Sequence, residues 1–309
     1  MDTFIQQIIN GLVQGSMYAL IALGYTMVYG VLNLINFAHG DVLMVGAMAG
    51  LTILQLVHTW APDLPGVLKL LIAILGAIPV CVGVNILIER IAYRPLRNAQ
   101  RLAPLITAIG VSILLQTFAM LIWGRNPLPF PQIMPAESFR IFGALISQTQ
   151  VMLLVLAAVC MVGLVLLVEK TRMGRAMRAT AENPRIAGLM GVDSNRVIVF
   201  TFAVGAALAA VAGVMWGANY SSAHFAMGLV PGLKAFCAAV LGGIGNIYGA
   251  MLGGILLGLV ESLFAGYIGG WTGGIIGSNY QDIFAFTILI LVLTLRPSGL
   301  MGERVADRA

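Results

Sequence analysis

Six ionisable side chains, His39, Asp41, Glu89, Lys234, Glu261 and Asp282, fall inside or beside long apolar runs. At the centre of a bilayer each would cost at least ~2.5–3.5 kcal/mol, so each needs a partner, water or a role in moving something polar. Asp41 belongs to the densest polar stretch, Asn33-Leu-Ile-Asn36-Phe-Ala-His39-Gly40-Asp41. A continuous helix here would put Asn36 and Gly40 on one face. An unwound chain would have to line a cavity or be buried in protein. The third alternative is a tight cytoplasmic turn between two spans, with Asp41 near a helix N-terminus. Asn36, His39, Asp41, Asn246 and Glu261 are thus candidates for the polar steps of a translocation pathway. A convergent catalytic set is missing from the sequence: His39, His58 and His224 are scattered, with no paired-His spacing, which argues against a lipid-modifying membrane enzyme. Cys81, Cys160 and Cys237 each sit in a separate apolar run and read as small hydrophobes, with neither a disulfide framework nor a metal site.

The elements that must position these groups are transmembrane helices. The chain has 309 residues, of which 60% are hydrophobic, 37 are glycine, and only 17 are basic and 12 acidic. A soluble domain carries charge on about a quarter of its residues. The composition therefore excludes a soluble enzyme, a nucleic-acid-binding protein and a disordered tail. An all-α, polytopic transmembrane bundle forming one domain over 1–309 is expected. Apolar runs at about 8–30, 38–57, 67–89, 103–123, 150–168, 197–218 and 279–295 are each long enough, or nearly so, to cross ~30 Å of hydrocarbon. The stretch 233–268 is too long for one span and is interrupted by Gly242, Gly243, Gly245 and Asn246. It reads as a short helix, a break and a longer helix, giving eight or nine membrane segments.

Thirteen of the 17 basic residues lie in three places: Arg90 to Arg101, Lys170 to Arg196, and Arg296 to Arg308. The positive-inside bias makes all three cytoplasmic, with the N-terminus outside and the C-terminus inside. The tail reaches the inside only if 233–268 crosses twice or forms a re-entrant hairpin. The net charge of +5 is then a topology signal, with anionic lipid headgroups as a secondary partner and no nucleic acid. No lysine or arginine precedes Lys69, so a cleavable signal peptide is not expected and the first span is retained.

Glycine spacing supplies the packing. Gly249/Gly253 and Gly254/Gly258 lie four apart, which lets helices approach closely in lipid. A shift of 188 positions aligns Ala19, Leu20, Ala22, Met27, Phe37, Ala38, Gly40, Val42 and Ala47 with identical residues from Ala207 to Ala235. On the expected topology the two copies would enter from opposite sides. An inverted repeat of this kind places a transport pathway where the halves meet.

The loop 169–196 is more than a connector. Asn183 suits an N-cap, Pro184 the first helical position and Gly191 the residue after the last turn, bracketing a short helix at 184–190. A second helix is expected at 174–182. Two capped helices outside the membrane suit docking of a cytoplasmic partner.

Ala187-Gly-Leu-Met-Gly191 resembles the core of the loop with which permeases of ABC importers insert a coupling helix into their ATPase subunits. That pattern is Glu-Ala-Ala, three residues, then Gly. Ala187 and Gly191 match, Arg185 and Ile186 take the first two places, and the Ile-x-Leu-Pro continuation is absent. This variant is similar to that of branched-chain amino-acid permeases. Gly15-Ser-Met-Tyr-Ala-Leu-Ile-Ala-Leu-Gly24, Asn36-Phe-Ala-His-Gly-Asp41, Leu105-Ile-Thr-Ala-Ile-Gly-Val-Ser112 and Gly242-Gly-Ile-Gly-Asn246 follow in the order of the same LivH-type permeases. The resemblance covers essentially the whole chain. It implies a transport subunit of the bacterial inner membrane, without catalytic residues, carrying leucine, isoleucine or valine. It also implies a second, related permease, two ATPase subunits and a periplasmic binding protein as partners. Glu182 and Arg185 would then contact the ATPase, while Asn183, Pro184, Ala187 and Gly191 shape the inserted helix. No Gly-x4-Gly-Lys-[Ser/Thr] occurs around any lysine, so ATP and Mg are expected on the partner subunits and no cofactor on this chain. The contrasting expectation is an ion-coupled secondary transporter or channel with Asp41 and Glu261 as its coupling pair.

Overall fold

A computed structural model describes residues 2–97, 99–100, 102–132, 134, 138–141, 143–275, 277 and 280–302. Arg101, Arg304 and Arg308, used above as topology signals, lie outside the described residues. Helices dominate: α1 (Asp2–Leu32), α2 (His39–Trp60), α3 (Gly66–Ile88), α4 (Leu102–Trp123), α5 (Gln148–Lys170), α6 (Arg172–Glu182), α7 (Pro184–Leu189), α8 (Ser194–Tyr220), α9 (Leu229–Gly242), α10 (Ile247–Trp271) and α11 (Gln281–Leu295). Helix α3 runs on into a π-turn, Glu89–Tyr93, and a 3₁₀ turn, Arg94–Leu96. Two small antiparallel ribbons complete the set: β1 (Leu128–Pro129) with β4 (Ser222–Ala223), and β2 (Ser138–Ile141) with β3 (Ala144–Ser147).

Among the described residues, seven helices are long and apolar enough to cross a membrane, and α9 and α11 are shorter apolar helices. Helices α1, α2 and α8 form the centre and bury most of their residues, whereas α4 and α5 bury few of theirs. The apolar stretch 233–268 is broken where glycine spacing predicts. Helix α9 ends at Gly243, with φ +108°, and α10 begins after Gly245, with φ +96°, conformations that glycine adopts without steric cost. With 14 residues, α9 is about 21 Å long, too short to span the hydrocarbon.

Contacts between helix ends define two faces. At one, Gln6 exchanges hydrogen bonds with the backbone of Leu145, and β1 pairs with β4. At the other, the Tyr248 hydroxyl donates to Glu169 at 2.5 Å, and the tail amides of Leu300 and Met301 donate to Leu241 and Gly242. The stretch 233–268 therefore reaches the face of the 169–196 loop and turns back there, sharing that face with the tail. The beginning of α1 lies at the opposite face.

Packing at the centre depends on missing side chains. Gly254 and Gly258 of α10 lie against Ala19, Gly15 and Gly11 of α1, and a Cβ on Gly11 or Gly15 would come within 2.7–2.8 Å of α10 backbone. The other pair, Gly249 and Gly253, lies against Gly242 and Ala238 of α9. The two spacings seen in the sequence thus serve two different neighbours.

A shift of 188 superimposes α1 on α8 and α2 on α9. Among the described residues, the non-glycine positions with positive φ are Asn33 (53°) and Ser221 (54°), which are 188 apart. Each follows the first helix of its half. After each, an irregular segment leads to Gly40 or Gly228, which lie against one another: a Cβ on Gly40 would meet the Gly228 carbonyl at 2.5 Å, and one on Gly228 would strike the Gly40 carbonyl.

Four helices are tied by a buried charge network. Lys234 on α9 pairs with Glu261 on α10 and Asp282 on α11, both at 2.6 Å. Gln14 and Tyr18 on α1 donate to the same Glu261 carboxylate at 2.9 and 3.0 Å. Removing one partner from a buried pair costs about 3–5 kcal/mol because the other charge is stranded. We therefore expect Lys234→Met to lower the thermal midpoint of the detergent-purified protein sharply, and Lys234→Met with Glu261→Gln to recover part of the loss. Equal midpoints for Lys234→Met and the wild type would contradict the network's role.

Candidate functional site

The polar stretch between the first two spans is unwound over residues 33–38, with Asn36 and Ala38 buried and Asn33 exposed, and His39 to Asp41 form the buried start of α2. Helix α1 stops at Leu32, residues 33–38 are irregular, and α2 starts at His39. Asn36 therefore shares no helix face with Gly40. Its side-chain oxygen accepts from the Ala38 amide at 3.1 Å and from the Tyr93 hydroxyl at 2.8 Å, tying the segment to the π-turn after α3. His39 is fully buried, with its ring edge-on to Tyr25 at 4.9 Å and pressed against Gly24, where a Cβ would collide with the imidazole. Asp41, in the first turn of α2, accepts from Gln116 of α4 at 3.0 Å, and Gln116 also lies 3.4 Å from Ser112.

A cavity of about 300 Å³ opens at this point. Its walls come from four elements: Tyr25 of α1, Gly40 and Asp41 of α2, Leu105, Ile109 and Ser112 of α4, and Leu229, Gly232 and Leu233 of α9. Most of the lining is apolar, with Asp41 the one carboxylate. The pathway candidates thus separate into three places. Asn36, His39 and Asp41 come together beside the Gly40–Gly228 contact. Glu261 lies in the Lys234 network. Asn246 caps α10 by accepting from the Gly249 amide at 3.0 Å and holds the tail by donating to Met301 at 2.9 Å.

The 169–196 loop folds into α6 and α7, each with a side-chain cap. Thr171 accepts from the Gly174 amide at 3.0 Å, and Asn183 accepts from the amides of Arg185 and Ile186 at 3.0 Å. Helix α6 begins at Arg172, two residues before expectation, because Thr171 rather than a later residue supplies the cap. Helix α7 ends at Leu189, and Gly191 follows with φ +84°. Ala187 is buried, while Glu182, Asn183, Pro184 and Arg185 are exposed. Composition gave no hint of the apolar tip of α7: Leu189 and Met190 are 83% and 81% exposed, and Ile186 is 58% exposed.

This loop is wired to the membrane helices. Arg97 donates to Asn195, at the start of α8, at 2.6 Å and pairs with buried Glu89 in the π-turn. Since Tyr93 of the same turn holds Asn36, a line of polar contacts runs from the loop to the unwound segment beside the cavity.

Sequence reading alone left out Lys234, Gln116 and Tyr93 as site residues. A lone lysine and a lone glutamine in otherwise apolar runs were the available signals, since neither survives in hydrocarbon without a partner. Tyr93 carried no such signal, because its partner is 57 positions away.

A buried unwound segment, a half-length helix opposite it and an external two-helix loop define a multi-pass transport permease. The chain belongs to the family described as branched-chain amino acid transport system / permease component, whose pattern it matches over residues 7–293. The high-affinity branched-chain amino acid transport system permease protein BraD of Pseudomonas aeruginosa is 45% identical over 310 residues, 99% of this chain and 98% of that one. LivH of Escherichia coli, a permease protein of the same description, is 42% identical over 309 residues, 99% and 97% of the two chains. The probable branched-chain amino acid transport permease LivH of Methanocaldococcus jannaschii is 30% identical over 261 residues, 79% and 75% of the two chains.

The glycine contact gives a direct test. Gly228→Val forces a side chain into the Gly40 backbone, whereas Gly83 has nothing within 4 Å of its added Cβ. Overpacking costs about 1–3 kcal/mol. Gly228→Val should therefore lower the melting midpoint by several degrees while Gly83→Val leaves it unchanged. Equal midpoints would contradict the close approach.

Proposed function

We propose that this chain is a membrane-spanning subunit of an ATP-driven importer for leucine, isoleucine and valine. It forms the pathway with a second, related permease. Two ATPase subunits dock on the face of the basic loops, and a binding protein delivers cargo at the opposite face. By the positive-inside bias the basic face is cytoplasmic, which puts the N-terminal end of α1 outside and the tail inside.

The observation that carries this reading is the exposed apolar tip of α7. Ile186, Leu189 and Met190 stand on a helix whose ends are fixed by Asn183 and Gly191 and whose Pro184 carbonyl accepts from the Ser194 hydroxyl at 3.2 Å. A rigid knob of this kind suits insertion into a cleft. Glu182 and Arg185 flank it and supply charged contacts, and Ala187 seats the helix on its own chain. When the ATPases bind ATP and Mg and close, the knob moves with them. The motion passes to α5 and α8 directly, and through Asn195, Arg97 and the π-turn to the unwound segment. Each ligand drives the cycle only through its different affinity for the outward and inward states.

The ion-coupled alternative takes Asp41 and Glu261 as its coupling pair, which needs the Glu261 carboxylate to be open to an ion. Lys234, Tyr18 and Gln14 already occupy that group, so it is poorly placed to take and release a cation.

Leu189→Glu with Met190→Glu removes the apolar tip without touching the membrane helices. We expect ATP-driven uptake of leucine to fall by at least about tenfold, the scale of a lost hot spot, at an unchanged membrane level of the protein. Wild-type uptake by this variant would overturn the docking role of α7.

A further inference from the structure

Among the described residues three carboxylates are essentially fully buried: Asp41, Glu89 and Glu261. Glu89 is paired with Arg97, and Glu261 with Lys234. Among the described residues no basic side chain pairs with Asp41. Among the described residues its hydrogen-bond donor is the Gln116 amide, and the Ser112 hydroxyl shares that amide and the cavity wall, both neutral. An ionised carboxylate has about four acceptor positions, so this donor leaves capacity unused. The group also lines the apolar cavity of about 300 Å³.

We propose that this cavity is an intramembrane resting site for the cargo amino acid, in which the cargo's ammonium group is the missing cationic partner of Asp41. The proposal rests on the importer reading above and deepens it by naming the site. The volume lies at the lower end of the usual ~300–1,000 Å³ for ligand pockets, which suits a small amino acid. Leu105, Ile109, Leu229 and Leu233 offer a branched aliphatic side chain the wall it needs.

The cargo's carboxylate finds its complement in the backbone. Helix α9 starts at the cavity, with Gly228, Leu229 and Gly232 in its lining. The N-terminal end of a half-length membrane helix carries partial positive charge and attracts anionic groups of a substrate. Gly228 is followed by no side-chain cap. A zwitterion would therefore lie with its ammonium toward α2 and its carboxylate toward α9, across the Gly40–Gly228 contact where the two halves meet. That position also explains why the site is placed to respond to coupling: the Asn36–Tyr93 hydrogen bond adjoins it. Loss of that bond would change the course of residues 33–38 and with it the approach to Asp41.

The test uses the complete importer, reconstituted in liposomes with its binding protein and ATP, and measures initial uptake of leucine and valine. Asp41→Asn keeps the shape and the Gln116 contact but removes the charge. We expect uptake of both amino acids to fall by at least about tenfold, the scale of a charged hydrogen bond, in a complex that assembles in wild-type yield. Ile109→Trp narrows the cavity and should cut leucine uptake more than valine uptake, a change of ratio that a merely damaged fold does not produce. Wild-type uptake and ratio in both variants would overturn the proposal while leaving the importer reading intact. So would a phospholipid found by native mass spectrometry in the wild-type cavity and displaced in Ile109→Trp without effect on uptake. If the wild-type complex itself shows no ATP-dependent uptake of leucine, isoleucine or valine, the importer reading fails, and this site with it.

Discussion

The contact between Gly40 and Gly228 is the constraint on which the rest of the structure depends. The first turn of α2 and the residue before α9 meet there, each at the end of an irregular segment, and only hydrogen atoms separate their backbones. Hydrocarbon offers no hydrogen-bond partners, so irregular backbone persists in a membrane only inside protein or beside a cavity. Both conditions hold here. The central helices bury Asn36 and Ala38, and Phe37 and Gly228 line the cavity. Any side chain at either glycine would part α2 from α9 and open the centre of the bundle.

A second constraint follows from the same solvent. Charge buried in the bundle needs a partner, and the way each charge is met separates holding from working. Glu89 and Arg97 join the π-turn to the start of α8. Lys234 gathers α10 and α11 around α9, with α1 reaching in through Gln14 and Tyr18. Among the described residues Asp41 is met by the neutral Gln116 amide, and it lines the cavity. In the first two the opposite charge comes from within the chain, although Glu89 Oε2 and Arg97 Nε have no hydrogen-bond partner among the described residues. On the proposal above, the cargo's ammonium group completes the third.

Much of this was legible in the amino-acid sequence, for reasons that differ by element. Local chemistry announced itself well. Asn183 and Gly191 mark the ends of α7 because capping involves neighbours two or three positions away. The break at Gly243–Asn246 follows from glycine placement within an apolar run too long for one helix. The 188-residue shift surfaced as scattered identities, and the structure gives it meaning through Asn33 and Ser221. Partnerships across the bundle were not legible. Lys234 and Glu261 are 27 positions apart and Asp41 and Gln116 are 75 apart, and no periodicity links such pairs. Asn246 had been grouped with the pathway because it is polar near an apolar run; its place at the α9–α10 turn gives it a capping role that the spacing to Gly249 permits. The exposed Leu189 and Met190 were hidden in a different way. The sequence places 184–190 outside the membrane, but it does not tell which apolar residues there pack on the chain, as Ala187 does, and which stay uncovered.

The central claim is that this chain moves cargo as one part of an ATP-driven assembly. The most direct measurement is gentle solubilisation from its native membrane, affinity capture of the chain and mass spectrometry of what accompanies it. The account predicts stoichiometric recovery of ATPase subunits and a second, related permease. Recovery of the chain alone, stable and able to transport in liposomes without ATP, would contradict it.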